Sequence, residues 1–463
     1  MAPRLLDSTD PRPVHFVGIA GAGMSALAEL FVRRGVAVTG CDASLVSADD
    51  LRRLGVEVQQ GHDAAHVAGA RALVITSAMP KDHPELVAAR ARGLPIVRRA
   101  EALGEAVSGG TLVAVAGTHG KTTTTVMTTD ALAAAGMAPT GVVGGRVGSW
   151  GGNLRYEHGT LFVVEADEYD RSFLALAPSI AVVTNVEADH LDIYADLADI
   201  RRTFEAFLAP AHTVVLCDDD IGASTLKIPS GSQVMRYGTD SPDARLVGRA
   251  MALDDGRTAV AVTFDGECLG DVVLRVPGLH NVRNALAAIA SGLALGASIE
   301  ALRPGLEAFA GVERRFQRLG RANGVDVVDD YAHHPTEVSA TLAAARVAYP
   351  GRRIVAAFQP HLYSRTRDFA RDFAHALAAA DVALLTAIYP AREQPIPGVT
   401  SALIADRMVQ RGCPPAWVGE RSTLAEALLA FVRDGDVVIT MGAGDITRTG
   451  PELLQRLTAG SVA

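Results

Sequence analysis

The segment GTHGKTT at residues 117–123 combines the residue types that bind nucleotide phosphates. It follows the apolar run 111–116, which predicts a buried strand, and it precedes a helical pattern. Backbone N–H groups of such a loop hold phosphate oxygens, while Lys121 neutralises the β- and γ-phosphates and Thr122 ligates magnesium. Val115 stands where the full motif has its first glycine, so a tight turn containing Gly-Lys-Thr is the alternative. Strand, loop and helix together favour phosphate binding.

Two acidic segments also follow apolar strands. EADEYD begins at Glu165 directly after the predicted strand 161–164, and NVEADH ends at His190 after the predicted strand 180–184. Carboxylates at the end of a strand beside a phosphate loop hold magnesium directly or through water. We expect Glu165 to be the leading ligand and His190 to complete a second metal site. The alternatives are a solvated acidic loop and a structural histidine.

The turn GIAGAG at residues 18–23 is similar to a dinucleotide fingerprint, with alanine in place of the second glycine. Asp42 follows the second predicted strand, where an acid that binds a ribose stands. The pattern alone fits NAD, another nucleotide diphosphate, or tight packing of a helix on a strand. Two nucleotide sites in one chain suggest ATP together with a nucleotide-linked substrate.

The C-terminal third carries clusters of arginine and histidine. Arg314-Arg315-Phe316 comes first, and the segments DDYAHHP at 329–335 and QPHLYSRTR at 359–367 each follow a predicted strand. Ligands bind at strand ends in open α/β sheets, and these side chains suit a carboxylate or phosphate. A salt bridge at the surface or between domains is the alternative for any one of them.

The elements that must position these residues alternate between short apolar runs and helical patterns. This alternation predicts an α/β protein with mainly parallel sheets, and 463 residues suggest about three domains. We place boundaries at Ser108-Gly109-Gly110 and near Gly311. The predicted strands outside the motifs are 14–17, 36–39, 73–76, 213–216, 325–328, 354–358, 382–386 and 437–440, with a β-rich stretch at 233–276 and helices at 24–34 and 282–295.

Composition excludes several classes of protein. The net charge is −9 and there is no long basic run, so nucleic acid is not expected as a partner. There is no apolar run of the roughly 18 residues that a membrane span needs, and the polar N-terminus is unlike a signal peptide. We therefore expect a soluble cytoplasmic protein. The spacing of its four cysteines predicts free thiols rather than a disulfide or a zinc site.

Taken together, these segments resemble the Mur ligases of bacterial cell-wall synthesis. The resemblance runs from His15 to about Asp445 and is carried by the blocks HFVGIAGAGMSALAE, AGTHGKTTTT, EADEYDRSFL, TNVEADHLDIY, PGLHNVRNALAA, DDYAHHPTEV, FQPHLYSRTRDF and YPAREQPIPGVTS. It implies a Rossmann-like UDP-binding domain at 1–109, a central P-loop ATPase domain at 110–311 and a C-terminal Rossmann-like ligase domain at 312–463.

The resemblance also implies an activity: ATP and magnesium, two ions by analogy, serve to join L-alanine to UDP-N-acetylmuramate through an acyl phosphate. We expect a monomer or a weak homodimer. The residues that the resemblance assigns to ATP are Gly117, Thr118, His119, Gly120, Lys121, Thr122, Thr123, Asn284, Arg315, Asp330 and Tyr331. Those assigned to the UDP-sugar are Gly18, Ala20, Gly21, Ala22, Gly23, Met24, Ser25, Asp42, Ser77 and Ala78. The implied metal ligands are Thr122, Glu165 and His190, and the implied catalytic residues are Lys121, His190, His333, His361 and Arg365.

The chain departs from the family pattern in two places. Leu362 stands where some members carry a basic residue, which affects the alanine side of the site. No lysine lies between Lys121 and Lys227, so the carbamylated lysine of several sister enzymes is not expected. Three other functions stay open: a ligase of the same family for another amino acid or a peptide, a nicotinamide-dependent oxidoreductase, and a nucleotide-gated regulatory protein without ligase chemistry.

Overall fold

The computed structural model describes residues 5–45, 48–77, 79–253 and 256–459. The chain divides into two compact units, one of residues 1–249, 261–272 and 283–308 and the other of residues 250–260, 273–282 and 309–463. Strands and helices alternate through both units, and most strand pairs are parallel. The predicted α/β class is therefore confirmed. Among the described residues, no helix is both long and apolar enough to cross a membrane.

The first sheet has five strands in the order β3-β2-β1-β4-β5, and all its pairs are parallel. β1 pairs with β2 on one side and with β4 on the other. The turn that follows β1 therefore lies at the switch point of the sheet, where open α/β sheets bind ligands. Its strands are β1 Val14–Val17, β2 Val38–Asp42, β3 Glu57–Gln60, β4 Ala72–Ile75 and β5 Ile96–Arg98. Its helices are α1 Ala22–Arg33, α2 Asp49–Arg53, α3 Pro84–Ala91 and α4 Arg99–Val107, with a 3₁₀ helix at Ala64–Val67.

The second sheet has ten strands in the order β15-β14-β13-β12-β11-β10-β6-β9-β7-β8. The strand that precedes the glycine-rich loop, β6, pairs in parallel with β10 on one side and β9 on the other. The strands are β6 Thr111–Ala116, β7 Thr140–Val147, β8 Gly152–Arg155, β9 Leu161–Glu165, β10 Ile180–Val183, β11 Thr213–Cys217, β12 Gln233–Gly238, β13 Leu246–Ala252, β14 Thr258–Phe264 and β15 Glu267–Leu274. The helices are α5 Lys121–Ala134, α6 Leu197–Leu208, α7 Ile221–Ser224, α8 Leu279–Ala294 and α9 Ile299–Ala308.

The third sheet lies in the second unit and has six strands in the order β16-β17-β21-β18-β19-β20. Only β16 and β17 are antiparallel, and apolar side chains cover both faces of the sheet. Its strands are β16 Gln317–Ala322, β17 Val325–Asp330, β18 Ile354–Phe358, β19 Val382–Thr386, β20 Trp417–Gly419 and β21 Val437–Met441. Its helices are α10 Pro335–Ala348, α11 Tyr363–Leu377, α12 Ala402–Gln410, α13 Arg421–Leu429 and α14 Thr449–Ala459.

Several strands extend further toward their carboxyl ends than predicted. The second strand was expected at 36–39, but it spans Val38–Asp42 because its parallel pairing with β1 begins at Val38. Similarly, Glu165 is the last residue of β9 and pairs with Val115, and Asp330 is the last residue of β17. The hydrogen bonds between strands are made by backbone groups. A strand can therefore extend beyond the apolar residues from which it was predicted. The predicted ligands are thus held on the strands themselves.

Candidate functional site

The loop between β6 and α5 owes its shape to two glycines. Gly120 caps α5 with a φ of +81°, and a Cβ there would lie 2.7 Å from Oδ1 of Asn284. Gly117 has a φ of +140°, and a Cβ there would lie 2.0 Å from Oγ1 of Thr184. Only glycine fits both the backbone conformation and the close approach at these positions.

The same loop is bonded to the end of the neighbouring strand β10. The backbone N–H of His119 donates to Oδ1 of Asn185 (2.7 Å), and Thr184 donates its hydroxyl to the carbonyl of His119 (2.6 Å). The N–H of Thr118 donates to the carbonyl of Asn185 (3.1 Å). The hydroxyl of Thr124, on the first turn of α5, donates to Oδ1 of Asn284 (3.0 Å). The structure thus brings Asn284 of α8 against the loop to which it was predicted to contribute.

Lys121 is the first residue of α5, and its side chain turns back over the loop. Nζ donates to the carbonyls of Gly117 (2.7 Å) and Thr118 (3.2 Å) and forms an ion pair with Glu168, with 2.8 Å between Nζ and Oε2. Burial raises the pKa of Glu168 to about 7, although Lys121 opposes this rise. Burial acts to lower the pKa of Lys121, but the negative field of Glu168, Asp167 and Glu165 outweighs it and the net pKa is raised. The lysine therefore keeps its charge.

Thr122 and Glu165 present oxygen atoms to each other beside this pair. The hydroxyl of Thr122 donates to Oε1 of Glu165 (2.9 Å), and the N–H of Gly144 donates to Oε2 (2.6 Å). A hydroxyl and a carboxylate at this spacing are the hard oxygen donors that magnesium prefers. The donor set therefore fits the predicted ion.

His190 joins the group through Glu168. Its Nε2 lies 3.7 Å from Oε1 of Glu168, and its ring packs edge-on against Tyr169 with centroids 5.2 Å apart. The backbone of His190 has a φ of +52°, which is uncommon for a residue with a side chain. Strain of this kind is found at functional sites. Sequence reasoning placed His190 here but missed Glu168 as the partner of Lys121, although the residue stood in the acidic segment.

The glycine-rich turn after β1 is held by the second strand. Gly18 has a φ of +74° and donates its N–H to the carbonyl of Cys41 (2.8 Å), and Ala20 donates its N–H to Oδ2 of Asp42 (3.0 Å). Asp42 thus fixes the backbone of the turn through a hydrogen bond. The predicted residues Gly21, Ala22, Gly23, Met24 and Ser25 form the cap and first turn of α1, and Met24 is buried.

A polar cavity of about 200 Å³ opens in the first unit, and Ser77 lines it. Arg98, Arg99 and Arg171 line the same cavity, together with Asp167 from the acidic segment. Arg99 also approaches the turn, since a Cβ on Gly23 would lie 2.8 Å from its Nη1. Sequence reasoning did not single out Arg98 and Arg99, which lie outside the motifs, nor Arg171, which stands within the block EADEYDRSFL. The predicted contact Ala78 lies outside the described residues.

In the second unit, the predicted residues gather at the ends of β17 and β18. Asp330 is buried and accepts the N–H groups of Phe316 and Ala332, both at 2.7 Å. Burial raises the pKa of Asp330 to about 6, against the opposing field of Arg315. The guanidinium of Arg315 lies over the ring of Tyr331, 4.9 Å from its centroid. Three of the predicted ATP contacts thus form one group.

The aromatic rings of Tyr331, His333 and His361 pack against one another in a row. His333 contacts Tyr331 and His361 with ring centroids 5.1 and 5.7 Å away, and Nη1 of Arg365 lies 3.4 Å from Nδ1 of His361. The Nδ1 of His333 lies 2.9 Å from the carbonyl oxygen of Tyr331 and 3.0 Å from Oε2 of Glu337, so two acceptors face this nitrogen. Leu362 is buried with a φ of +70°, which turns the chain into α11.

Three family models match successive parts of the chain. The Mur ligase family catalytic domain matches residues 13–111, the Mur ligase middle domain matches residues 115–292, and the Mur ligase glutamate ligase domain matches residues 314–444. The chain belongs to the Mur ligase family. The three predicted Mur ligase domains are therefore present in this order, and the sheets described above are those of a Mur ligase fold.

Individual relatives span nearly the whole Mur ligase chain. The UDP-N-acetylmuramate–L-alanine ligase of Acidothermus cellulolyticus is 47% identical, over 96% of this chain and 94% of its own. The crystal structure of UDP-N-acetylmuramate–alanine ligase MurC from Thermotoga maritima matches with a TM-score of 0.83 at 30% identity, covering 97% of this chain and 99% of that one. A murein peptide ligase from Psychrobacter arcticus matches with a TM-score of 0.71 at 25% identity, covering 96% and 99%.

Proposed function

We propose that this Mur ligase joins L-alanine to the carboxylate of UDP-N-acetylmuramate and releases ADP and phosphate. The observation that carries the proposal is the arrangement of Lys121, Thr122 and Glu165 at the ends of β6 and β9. It supports ATP-driven activation of a carboxylate. The relatives that bear this enzyme's name at 45–47% identity over nearly the full chain support the choice of substrates.

We propose that the loop at residues 117–123 binds the triphosphate of ATP. The N-terminus of α5 directs N–H groups and the positive end of the helix dipole at the phosphates. Lys121 exchanges its bond to Glu168 for bonds to phosphate oxygens, and Asn284 keeps the loop in place. Arg315, Asp330 and Tyr331 also contribute to nucleotide binding, and the guanidinium of Arg315 lies over the ring of Tyr331.

Thr122, Glu165 and His190 would hold magnesium, and the hydroxyl of Thr122 and the carboxylate of Glu165 are oxygen donors of the kind that magnesium prefers. When bound, the metal offsets the repulsion between the muramate carboxylate and the triphosphate and stabilises the charge that spreads in the transition state. Lys121 does the same at the γ-phosphate. The muramate carboxylate attacks the γ-phosphorus to give an acyl phosphate, and the amine of L-alanine then displaces phosphate from the carbonyl carbon.

We propose that the amine loses its proton to the Nε2 of His333, since two acceptors, the carbonyl of Tyr331 and the carboxylate of Glu337, face its Nδ1. His361 and Arg365 orient the carboxylate of L-alanine, because a guanidinium matches a carboxylate in geometry and charge. In the first unit, the turn at residues 18–25 and Asp42 hold the UDP moiety. Ser77 also binds the UDP moiety, and it lines the same cavity as Arg98 and Arg99.

The boundaries 1–109, 110–311 and 312–463 remain our proposal for the three domains. α4 ends at Val107 and β6 begins at Thr111, which supports the first of them. We also propose that the enzyme works in the cytoplasm as a monomer or weak homodimer, without nucleic acid or membrane partners. Size-exclusion chromatography with light scattering measures the mass and tests the oligomeric state.

Phosphate release and product mass test the reaction itself. Purified protein is incubated with ATP, magnesium and UDP-N-acetylmuramate, with either L-alanine or D-glutamate. Release that requires L-alanine, with a product heavier by one alanyl residue, is the expected result. Release without any amino acid would instead identify an ATPase. Absence of release in every mixture would contradict the proposal and direct the search to peptide substrates.

A further inference from the structure

Four potential metal ligands meet on the first sheet, in a part of the unit that the ligase reaction does not use. They are His15 on β1, Cys41 on β2, His66 in the 3₁₀ helix Ala64–Val67, and Glu85 in the first turn of α3. One nitrogen, sulfur or oxygen atom from each lies within 4.8 Å of every other. His15, Cys41 and Glu85 are at most 1% exposed.

Glu85 is the least expected member of this group, because a fully buried carboxylate needs a compensating charge or a metal. Its neighbours are the thiol of Cys41, 3.0 Å from both carboxylate oxygens, Nδ1 of His66 at 2.7 Å, and the backbone N–H of Asp63, which donates to Oε1 at 3.2 Å. Among the described residues, no lysine or arginine forms an ion pair with Glu85. Its only salt-bridge neighbours there are His66 and, at 3.9 Å, His62. The carboxylate is thus surrounded by ligand-type side chains and not by fixed cations.

His15 supplies a second and independent observation. Its Nδ1 lies 2.9 Å from the hydroxyl of Thr39, whereas its Nε2 is buried and has no hydrogen-bond partner among the described residues. A histidine that binds a metal through one nitrogen donates the proton of the other to a neighbouring acceptor.

We propose that His15, Cys41, His66 and Glu85 form a binding site for a zinc-type divalent transition-metal ion. Two imidazoles, a thiolate and a carboxylate are a donor set that zinc accepts in tetrahedral geometry. Zinc bond lengths of about 2.0–2.3 Å put the ligand atoms of a tetrahedral site roughly 3.3–3.7 Å apart. This range falls between the 2.7 Å separation of the His66 and Glu85 atoms and the 4.8 Å limit for the group. Binding displaces the thiol proton of Cys41 to solvent.

The ion would link two strands of the first sheet, β1 and β2, to the 3₁₀ helix and to α3 through side chains. Cys41 also accepts the N–H groups of Gly18 and Ile19 on its carbonyl oxygen, at 2.8 and 3.1 Å. A metal on its sulfur therefore fixes the strand that holds the glycine-rich turn. The site is not visible in the spacing of the cysteines, because each ligand comes from a different element.

Cobalt(II) titration of the full-length protein, purified in the presence of a chelator and then freed of it, tests the site. The expected result is one equivalent of cobalt bound with a thiolate-to-metal absorption band in the near ultraviolet and intense visible bands of tetrahedral cobalt. Competition with zinc abolishes these bands. Cobalt held by oxygen atoms near Thr122 produces no thiolate band, so the signal is specific for a cysteine ligand.

Cys41→Ser is expected to remove the thiolate band, and His15→Gln to weaken cobalt binding by about tenfold or more. Cys268→Ser, which alters an exposed thiol elsewhere, is the matched control and is expected to keep both the thiolate band and the affinity for cobalt. Zinc should raise the thermal unfolding midpoint of the wild type and of the control, but not of Cys41→Ser. A wild-type protein without the thiolate band would overturn the proposal, whatever the folding of the variants. So would a band that survives Cys41→Ser.

Discussion

The ammonium nitrogen of Lys121 lies 2.8 Å from Oε2 of Glu168, and the side chain of Glu168 is only 4% exposed. The lysine expected to bind phosphate is therefore paired with a carboxylate. The two carbonyls that also bind its nitrogen, those of Gly117 and Thr118, keep the side chain over the loop. When phosphate binds, it replaces the carboxylate of Glu168 as the charge partner of Lys121. The lysine side chain does not have to move to a new position.

Replacing Lys121 with alanine should lower the rate of ligation by about a thousandfold or more, because the charge that stabilises the γ-phosphate is lost. The fold should persist, since Glu168 already has a raised pKa and can take up a proton when its partner is removed. Phosphate release measures the rate, and circular dichroism checks folding. Lys227→Ala, an exposed lysine, is the control and should be neutral. Near-normal activity in folded Lys121→Ala would refute the role of the lysine.

Glu168→Gln should tighten the binding of ATP in the absence of metal by about three- to tenfold, or roughly 1 kcal/mol, because a buried negative charge near the phosphates disappears. The carbonyls of Gly117 and Thr118 still hold the lysine. Isothermal titration calorimetry measures the affinity. Asp170→Asn changes a more exposed carboxylate of the same segment and should leave the affinity unchanged. Weaker binding by Glu168→Gln alone would mean that Glu168 organises the loop and does not compete with phosphate.

Gly120→Ala and Gly136→Ala form a matched pair, since both glycines have similar positive φ angles of +81° and +76°. At Gly136 no heavy atom lies within 4 Å of the new Cβ, so backbone strain alone should cost about 1 kcal/mol of unfolding free energy. At Gly120 the Cβ also meets Asn284, so the loss should be larger and ATP affinity should fall. Urea unfolding and calorimetry measure both effects. Equal losses in the two variants would show that the contact with Asn284 is unimportant.

The buried carboxyl of Asp330 should make stability depend on pH. Its pKa is about 6 in the folded chain against an ordinary value of 3.8, so the folded state binds more protons between these limits. Unfolding free energy therefore falls as pH rises from about 4 to 6, by up to about 3 kcal/mol, and this contribution is constant above that range. Asp330→Asn should lack this part of the slope. Urea unfolding of both proteins from pH 4 to 7 measures the difference, and parallel curves would contradict the assignment.

The sequence was sufficient for the central strands of the sheets and for the loops that follow them, because apolar runs, glycine turns and helix patterns are local signals. It did not predict six strands that lie at or next to sheet edges, namely β3, β5, β7, β8, β16 and β20. It indicated Glu165 and His190 for the same reason, since each stands at or just beyond a predicted strand. It did not distinguish Glu168, three residues beyond Glu165, as the partner of Lys121. That choice depends on which carboxylate becomes buried after β9 ends, and burial is decided by contacts between distant segments. Arg99 was missed because it belongs to no motif and approaches Gly23 only through folding.

The bonds from Asn185 and Thr184 to His119 have a consequence for the kinetics of nucleotide binding. A loop that is disordered before its ligand arrives loses conformational entropy on binding and associates slowly when it must first adopt the right shape. Here the backbone of residues 117–120 is already fixed by the adjacent strand and by two glycines that fit their surroundings. Encounter with ATP should therefore be fast, and differences in affinity among loop variants should appear mainly in the dissociation rate.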